Sequence, residues 1–275
     1  MKAYCLIRAQ PWYRREAFAA GLAAAGLEVK IGAPPPGERG AVLVIWNRYA
    51  DNHELACRVE RDGGRVWVAE NGYLGAGGSS SKFDVYPNGG QAGHYYAIEE
   101  TWHNGGGRWP AGGPERFARL GVTLKPWRTA GEHILVCPNR SFGVAGRIMP
   151  SDWPQRVQAA LGRVTKRPVR VRPHPGNDAP RRPLSADLAN AWAVVIWSSS
   201  AGVHALVEGV PVFCQAPAWI CKPATFSDLA RIEQLGICGH HGRQAALEAM
   251  AWAQWTVEEI ASGEPFRRLL ESSAA

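Results

Sequence analysis

The sequence predicts an α/β protein built as two facing Rossmann-like domains with a cleft between them, and three observations carry that prediction. Residues 1–71 alternate short apolar runs with helix-like stretches, the order expected of a mainly parallel sheet covered by helices. A second alternation of the same kind begins near His133. Between the two, from Gly72 to about Pro126, glycine, serine, asparagine and aromatic residues replace regular periodicity. The expected division is therefore 1–130 and 131–275, with the last helix free to return to the first domain.

Taken in order, AYCLIRA reads as the first strand and REAFAAGLAAAGLE as an alanine-rich helix that ends at a glycine. EVKIGA is the next strand, and PPPGERG is a loop because three prolines continue neither element. AVLVIWN is a continuous apolar strand, HELACRVERDGG a helix stopped by two glycines, and VWVAEN a further strand. The long segment 72–126 is too glycine-rich for regular structure, and loops of that length in a compact domain are usually functional. In the second half HILVCP, RPVRV, AVVIW and PVFCQ read as strands. The helices between them are about 152–165, a short one at ADLANA and one at SAGVHALVEG; residues 244–270 read as helix broken at SGEP.

Composition narrows the class. The 275 residues are 46% hydrophobic and 20% charged, which fits a globular chain. Nothing approaches the roughly 20 apolar residues of a membrane span, and the opening MKAYCLIRAQ lacks a secretory apolar centre, so a cytoplasmic protein with no membrane partner is expected. Six scattered cysteines without CxxC spacing read as buried thiols, and neither these nor His240-His241 indicates a metal. A net charge of +7 favours an anionic partner. Twelve tryptophans, several beside arginine in WNRY, WHNGGGRW and PWR, read mainly as core and otherwise as platforms for bases or sugars.

Three loops after strands of the second half suit an anion. They are Asn139-Arg140-Ser141-Phe142-Gly143, Arg172-Pro173-His174-Pro175-Gly176 and Ser198-Ser199-Ser200-Ala201-Gly202. Arginine forks, an imidazole, hydroxyls and a helix N-terminus are all phosphate ligands, although a serine before a helix is also an ordinary cap. A hydroxyl-bearing acceptor that reacts beside a bound phosphate needs a group that takes its proton. Glu70, at the end of an apolar strand, is the first candidate, though it also suits a cap on the NGY turn; His94 and His103 are alternatives, and Asp51 is a weaker one. Arg48, Tyr73, Asn104, Arg108 and Trp109 are expected to contact the acceptor. There is no DxD triplet, so metal-independent chemistry with no tightly bound cofactor is expected.

The stretch RPHPG followed by WSSSAGVHALVEGVPVF resembles the donor half of GT-B glycosyltransferases, especially capsule-type sugar transferases and phage-encoded proteins similar to them. That resemblance covers about residues 133–225. It implies that the serine-rich turn faces the donor phosphates, that Glu208 lies at the nucleoside, and that the donor is a nucleotide sugar, a UDP-sugar first. Over the whole chain, YRREAFAAGL, VIWNRY, AENGYLG, HNGGGRWP and RRLL resemble uncharacterised bacteriophage and prophage proteins. The plan is also similar to the phage DNA glucosyltransferases, in which an acidic residue after an N-domain strand is the base and an arginine loop follows the first C-domain strand. By that likeness Glu70 takes the base position and NRSFG the phosphate loop. The implied acceptor is 5-hydroxymethylcytosine in double-stranded phage DNA, inside an infected bacterial host. A capsule or lipopolysaccharide acceptor, a non-catalytic nucleic-acid-binding phage protein and a nucleotide-sugar epimerase are the alternatives.

Overall fold

The computed structural model describes residues 1–74, 95–140, 143–174, 183–234 and 242–272. In chain order, residues 1–120 carry β1 (Lys2–Leu6), α1 (Arg15–Ala24), β2 (Glu28–Ile31), β3 (Val42–Trp46), α2 (Asp51–Arg61), β4 (Arg65–Asn71), β5 (Tyr96–Glu100) and α3 (Glu115–Arg119). Residues 121–247 carry β6 (His133–Cys137), α4 (Trp153–Val164), β7 (Val169–Val171), α5 (Leu184–Leu188), β8 (Ala191–Ile196), α6 (Ala201–Val207) and β9 (Val212–Cys214). The chain ends in α7 (Arg243–Ala251), β10 (Gln254–Trp255), α8 (Val257–Ser262) and α9 (Glu264–Glu271). Two units result: Met1–Leu120 with Glu248–Ala275, and Gly121–Leu247.

In the first unit the strand order is β10-β5-β4-β3-β1-β2. Strands β2, β1, β3 and β4 run parallel, and β5 and β10 add antiparallel. β3 is buried at every position, as a strand covered on both faces must be. One face packs Val44, Trp46, Trp67 and Tyr96 against Phe18 and Leu22 of α1 and Ile260, Phe266 and Leu269 of α8 and α9. The other packs Leu43, Ile45, Val66 and Val68 against Ala56 and Val59 of α2. Gly21 lets α1 lie backbone to backbone on α8, since a Cβ there would stand 1.8 Å from the Ile260 carbonyl oxygen.

Two differences from the sequence reading lie in this unit. The stretch read as loop contains β5, whose run Tyr96–Glu100 pairs with β4 from Asn71↔Tyr96 to Trp67↔Glu100. The expected C-terminal helix is interrupted by β10, which pairs with β5, and residues 248–275 belong to this unit. Local helix propensity in that tail yields to the tertiary partner that β5 provides.

The second unit is a parallel sheet of order β7-β6-β8-β9. Ile134, Val136, Ala193, Val195 and Phe213 pack against Trp153, Val157 and Leu161 of α4. Helix α6 is buried throughout. Gly209, at φ 73°, ends it where a Cβ would lie 2.0 Å from the Pro126 carbonyl oxygen, so the strand-entering turn admits only glycine.

Candidate functional site

Parallel sheets bind ligands at the carboxyl ends of their strands, where the strand order reverses. In the second unit β6 lies between β7 and β8, so the loops after β6 and β8 flank that point. They are joined there: the Asn139 side-chain oxygen accepts the Ser198 backbone N–H at 2.9 Å. The loop after β7 converges on the same place, because the Arg140 charge, after burial, helps to push the His174 imidazole down to about 4. His174 is therefore neutral at physiological pH, a donor or acceptor and not a cation. Arg140 and Ser200 are exposed. The Ser199 hydroxyl accepts the Ala201 N–H at 3.3 Å, a local turn bond.

Other residues read from the sequence as donor ligands have internal work. Arg172 pairs with Asp187 of α5, and both side chains are largely buried. Gly202 is required by packing, since a Cβ would meet the Trp219 ring at 2.8 Å and Ile196 at 2.7 Å. Glu208 accepts the Lys125 ammonium at 2.6 Å. Gly143 turns the backbone at φ 152°. Ser141 lies outside the described residues, as do His94, Cys238, His240 and His241.

In the first unit Glu70 stands near the end of β4, half-buried. Its Oε1 lies 2.7 Å from the Tyr73 hydroxyl oxygen and accepts the Asn104 backbone N–H at 2.7 Å. Burial, and next the charge of Glu99, push its carboxyl up to about 8; the two hydrogen bonds act in the opposite direction. Glu99 is fully buried two pairs along, and so on the same face of the sheet. It accepts the Tyr73 hydroxyl at 2.8 Å and the N–H groups of Gly105 and Gly107 at 2.9 to 3.1 Å. The glycines of HNGGG thus wrap a carboxylate, with Asn104 and Gly105 both at positive φ. Sequence reasoning named Glu70, Tyr73 and Asn104 but missed Glu99, which it placed in an irregular loop. The run Tyr95-Tyr96-Ala97-Ile98, rich in strand formers, was the available signal.

The other residues expected to contact the acceptor have partners of their own or lie at the surface. Arg48 is buried, forked onto Glu60 at 2.6 Å through both terminal nitrogens and bonded to the Thr101 carbonyl oxygen. Trp109 donates its indole N–H to the Ala249 carbonyl oxygen at 2.8 Å and packs on the core. Arg108 is exposed beside Glu100 at 3.3 Å. The His103 ring stacks on Trp102. Asp51 opens α2.

The tryptophan and arginine content has a structural explanation. Arg116 is buried over the Trp255 ring at 3.9 Å and forks onto Glu259 at 2.9 Å. Arg167 covers Trp192, Arg243 covers Trp127, and Arg268 covers Trp252, each at 4.1 to 4.2 Å. Arg268 also donates to the Pro110 carbonyl oxygen at 3.1 Å. These pairs are intramolecular cation–π contacts. Trp12, 53% exposed, is the large aromatic side chain that stands out in solvent among the described residues.

Among the described residues no cluster of three histidine, cysteine or acidic side chains suits a metal, and no helix is long and apolar enough to cross a membrane. The five described cysteines are free, four of them buried.

Comparison by sequence finds no matching family model and no matching curated protein. Comparison by structure finds two KpsC proteins of Thermosulfurimonas dismutans. One, a beta Kdo 2,7 transferase, is 11% identical, with a TM-score of 0.54 over 99% of this chain and 100% of that one. The other, a beta Kdo 2,4 transferase, is 12% identical, with a TM-score of 0.51 over 92% and 90%. At these identities the likeness is one of fold, a mixed α/β architecture with Rossmann-like parallel sheets. It extends along the whole chain.

Proposed function

We propose that this chain is a glycosyltransferase of the GT-B type that moves a sugar from a nucleotide-activated donor to a hydroxyl of a capsule- or lipopolysaccharide-type glycan. The observation that carries the reading is the end-to-end fold likeness to two sugar transferases. Convergence of the Arg140, His174 and Ser198 loops at the switch point of the second sheet supports it. Hydroxymethylated DNA, the acceptor implied by phage resemblance, loses support because the tryptophan–arginine pairs lie within the fold.

In this reading the second unit holds the donor phosphates through the Arg140 guanidinium, neutral His174 and the hydroxyls and amides of Ser198–Ser200. These groups stabilise the negative charge that accumulates on the leaving nucleotide. The acceptor O–H bond breaks and its proton passes to Glu70. The freed electron pair forms the bond to the anomeric carbon as the sugar–phosphate bond breaks, and that pair of electrons leaves with the nucleotide.

Thermal unfolding with free nucleoside mono- and diphosphates tests the donor half. One nucleotide at about 100 times its Kd should stabilise by about 2.7 kcal/mol. Mass analysis of glycan acceptors and of a hydroxymethylcytosine duplex, incubated with UDP-, GDP- and CMP-sugars and including activated Kdo, tests the acceptor half. Gain on a glycan supports the reading. Gain on the duplex alone returns the acceptor to DNA, and absence of any nucleotide response overturns the enzyme.

A further inference from the structure

Tyr73 stands between two carboxyl groups, its hydroxyl 2.7 Å from Glu70 Oε1 and 2.8 Å from Glu99 Oε1. A phenol has one hydrogen to donate and an ionised carboxylate has none, so both contacts are hydrogen bonds only when one carboxyl carries a proton. The surroundings decide which. Glu99 takes N–H groups on both oxygens, from Gly105 at 2.9 and 3.1 Å and from Gly107 at 3.0 Å, an arrangement that favours the anion. Glu70 takes one amide, that of Asn104, on Oε1. Its Oε2 has no hydrogen bond among the described residues.

We propose that Glu99 is a positioning residue: acting through the Tyr73 hydroxyl, it holds a proton on Glu70 Oε1. The chain runs from Glu70 O–H to the Tyr73 oxygen, and from Tyr73 O–H to Glu99. The neighbouring groups are consistent with this assignment. From β5 the group facing Glu70 is Glu99, from the turn after β4 it is Tyr73, and from the loop 101–107 it is the Asn104 amide next to His103. Asn47, after β3, is neutral and donates its backbone N–H to the Ala69 carbonyl oxygen. The nearby arginines are engaged elsewhere, Arg48 with Glu60, and Arg65 and Arg108 with Glu100. Glu99 is thus the charge that acts on Glu70 among the described residues.

The catalytic consequence rests on the proposed role of Glu70, whereas the protonation does not. If Glu70 is the acceptor's base, the resting enzyme must lose this proton before it can work, and Glu99 sets the pH at which that happens.

Carboxyl-carbon NMR of glutamate-labelled protein, without any substrate, tests the inference. In the parent, one carboxyl that disappears in Glu70→Gln should titrate near 8. Glu99→Gln keeps the side-chain volume and an oxygen for Gly105 but removes the charge, and should lower that titration by about one unit or more. Tyr73→Phe leaves the Glu99 charge in place but removes the oxygen that takes the Glu70 proton, and should lower that titration by less than Glu99→Gln does. A Glu70 carboxyl that titrates in the ordinary range, or one unmoved by Glu99→Gln, overturns the proposal. Should Glu99→Gln fail to fold, an alkaline carboxyl signal that persists in Glu70→Gln overturns it equally. A titration that moves in Glu99→Gln while the pH–rate profile stays fixed upholds the proton assignment and overturns Glu70 as base.

Discussion

The two units assemble their polar groups in opposite ways. In the second, each candidate ligand directly follows a parallel strand, and the sheet order alone brings the loops after β6, β7 and β8 together. In the first, the carboxyl pair is made across an antiparallel ladder, Glu70 on β4 and Glu99 on β5, with a tyrosine between them. The second unit collects cationic and hydroxyl groups at a parallel edge. The first buries two like charges under a glycine loop. Like charges held this close keep a proton between them, whereas an open edge of arginine, neutral histidine and serine suits a bound anion.

The contrast breaks most visibly at Glu70. Glu70→Ala should lower kcat by about 10²- to 10⁴-fold with donor KM unchanged, measured by steady-state transfer kinetics. An unchanged kcat would leave the first unit's carboxyl pair as structure only. Within the second unit, Arg172 and Arg140 should part company. Arg172→Ala abandons a largely buried Asp187 and should cost about 3 kcal/mol in urea unfolding. Arg140→Ala, at an exposed side chain, should change stability by less than about 0.5 kcal/mol and raise donor KM about tenfold. A destabilising Arg140→Ala would erase the distinction between the two loops. Between these two in stability, Gly202→Ala should cost about 1 to 3 kcal/mol by forcing a methyl into Trp219 and Ile196. A loss of donor affinity without loss of stability would return Gly202 to the donor site.

These differences also explain what the sequence revealed. Strand and helix alternation was legible through both parallel sheets because a buried parallel strand is a continuous apolar run, as in VLVIW and HILVC. The loops after such strands were equally legible, since their position follows from the strand itself. Pairing partners were not. Nothing local in RPHP states that Arg172 meets Asp187, nor in HALVEG that Glu208 meets Lys125 some eighty residues earlier. Glu99 was hidden because β5 is short, lies in a glycine-rich stretch and is fixed by its pairing with β4 and β10. Tryptophan beside arginine suggested a nucleic-acid surface, but the partners were chosen by the fold, as Arg116 with Trp255 shows.

Acid and alkali should separate the two units. Glu70 has an ordinary value of 4.5 and is raised to about 8 by the fold, so the native state binds the proton more tightly. Its stabilising contribution is whole below about 4.5 and is lost as pH rises through 8. His174 and His204 behave in the opposite sense, because burial lowers both from 6.5 to about 4. Their contribution is whole above 6.5 and is lost as pH falls through 4. Between 6.5 and 8 the histidines have finished titrating, so Glu70 alone of these three slopes stability downward with pH. Calorimetric unfolding across pH 4 to 9 should therefore show the second unit weakening on the acid side and the first on the alkaline side. Glu70→Gln should flatten the fall between 6.5 and 8 and steepen the acid limb between 4.5 and 6.5, where the slope of Glu70 opposes that of the histidines. A fall that survives this substitution would mean that the proton shared in the first unit is not on Glu70, and the opposition between a proton-holding unit and an anion-binding unit would lose its sharpest point.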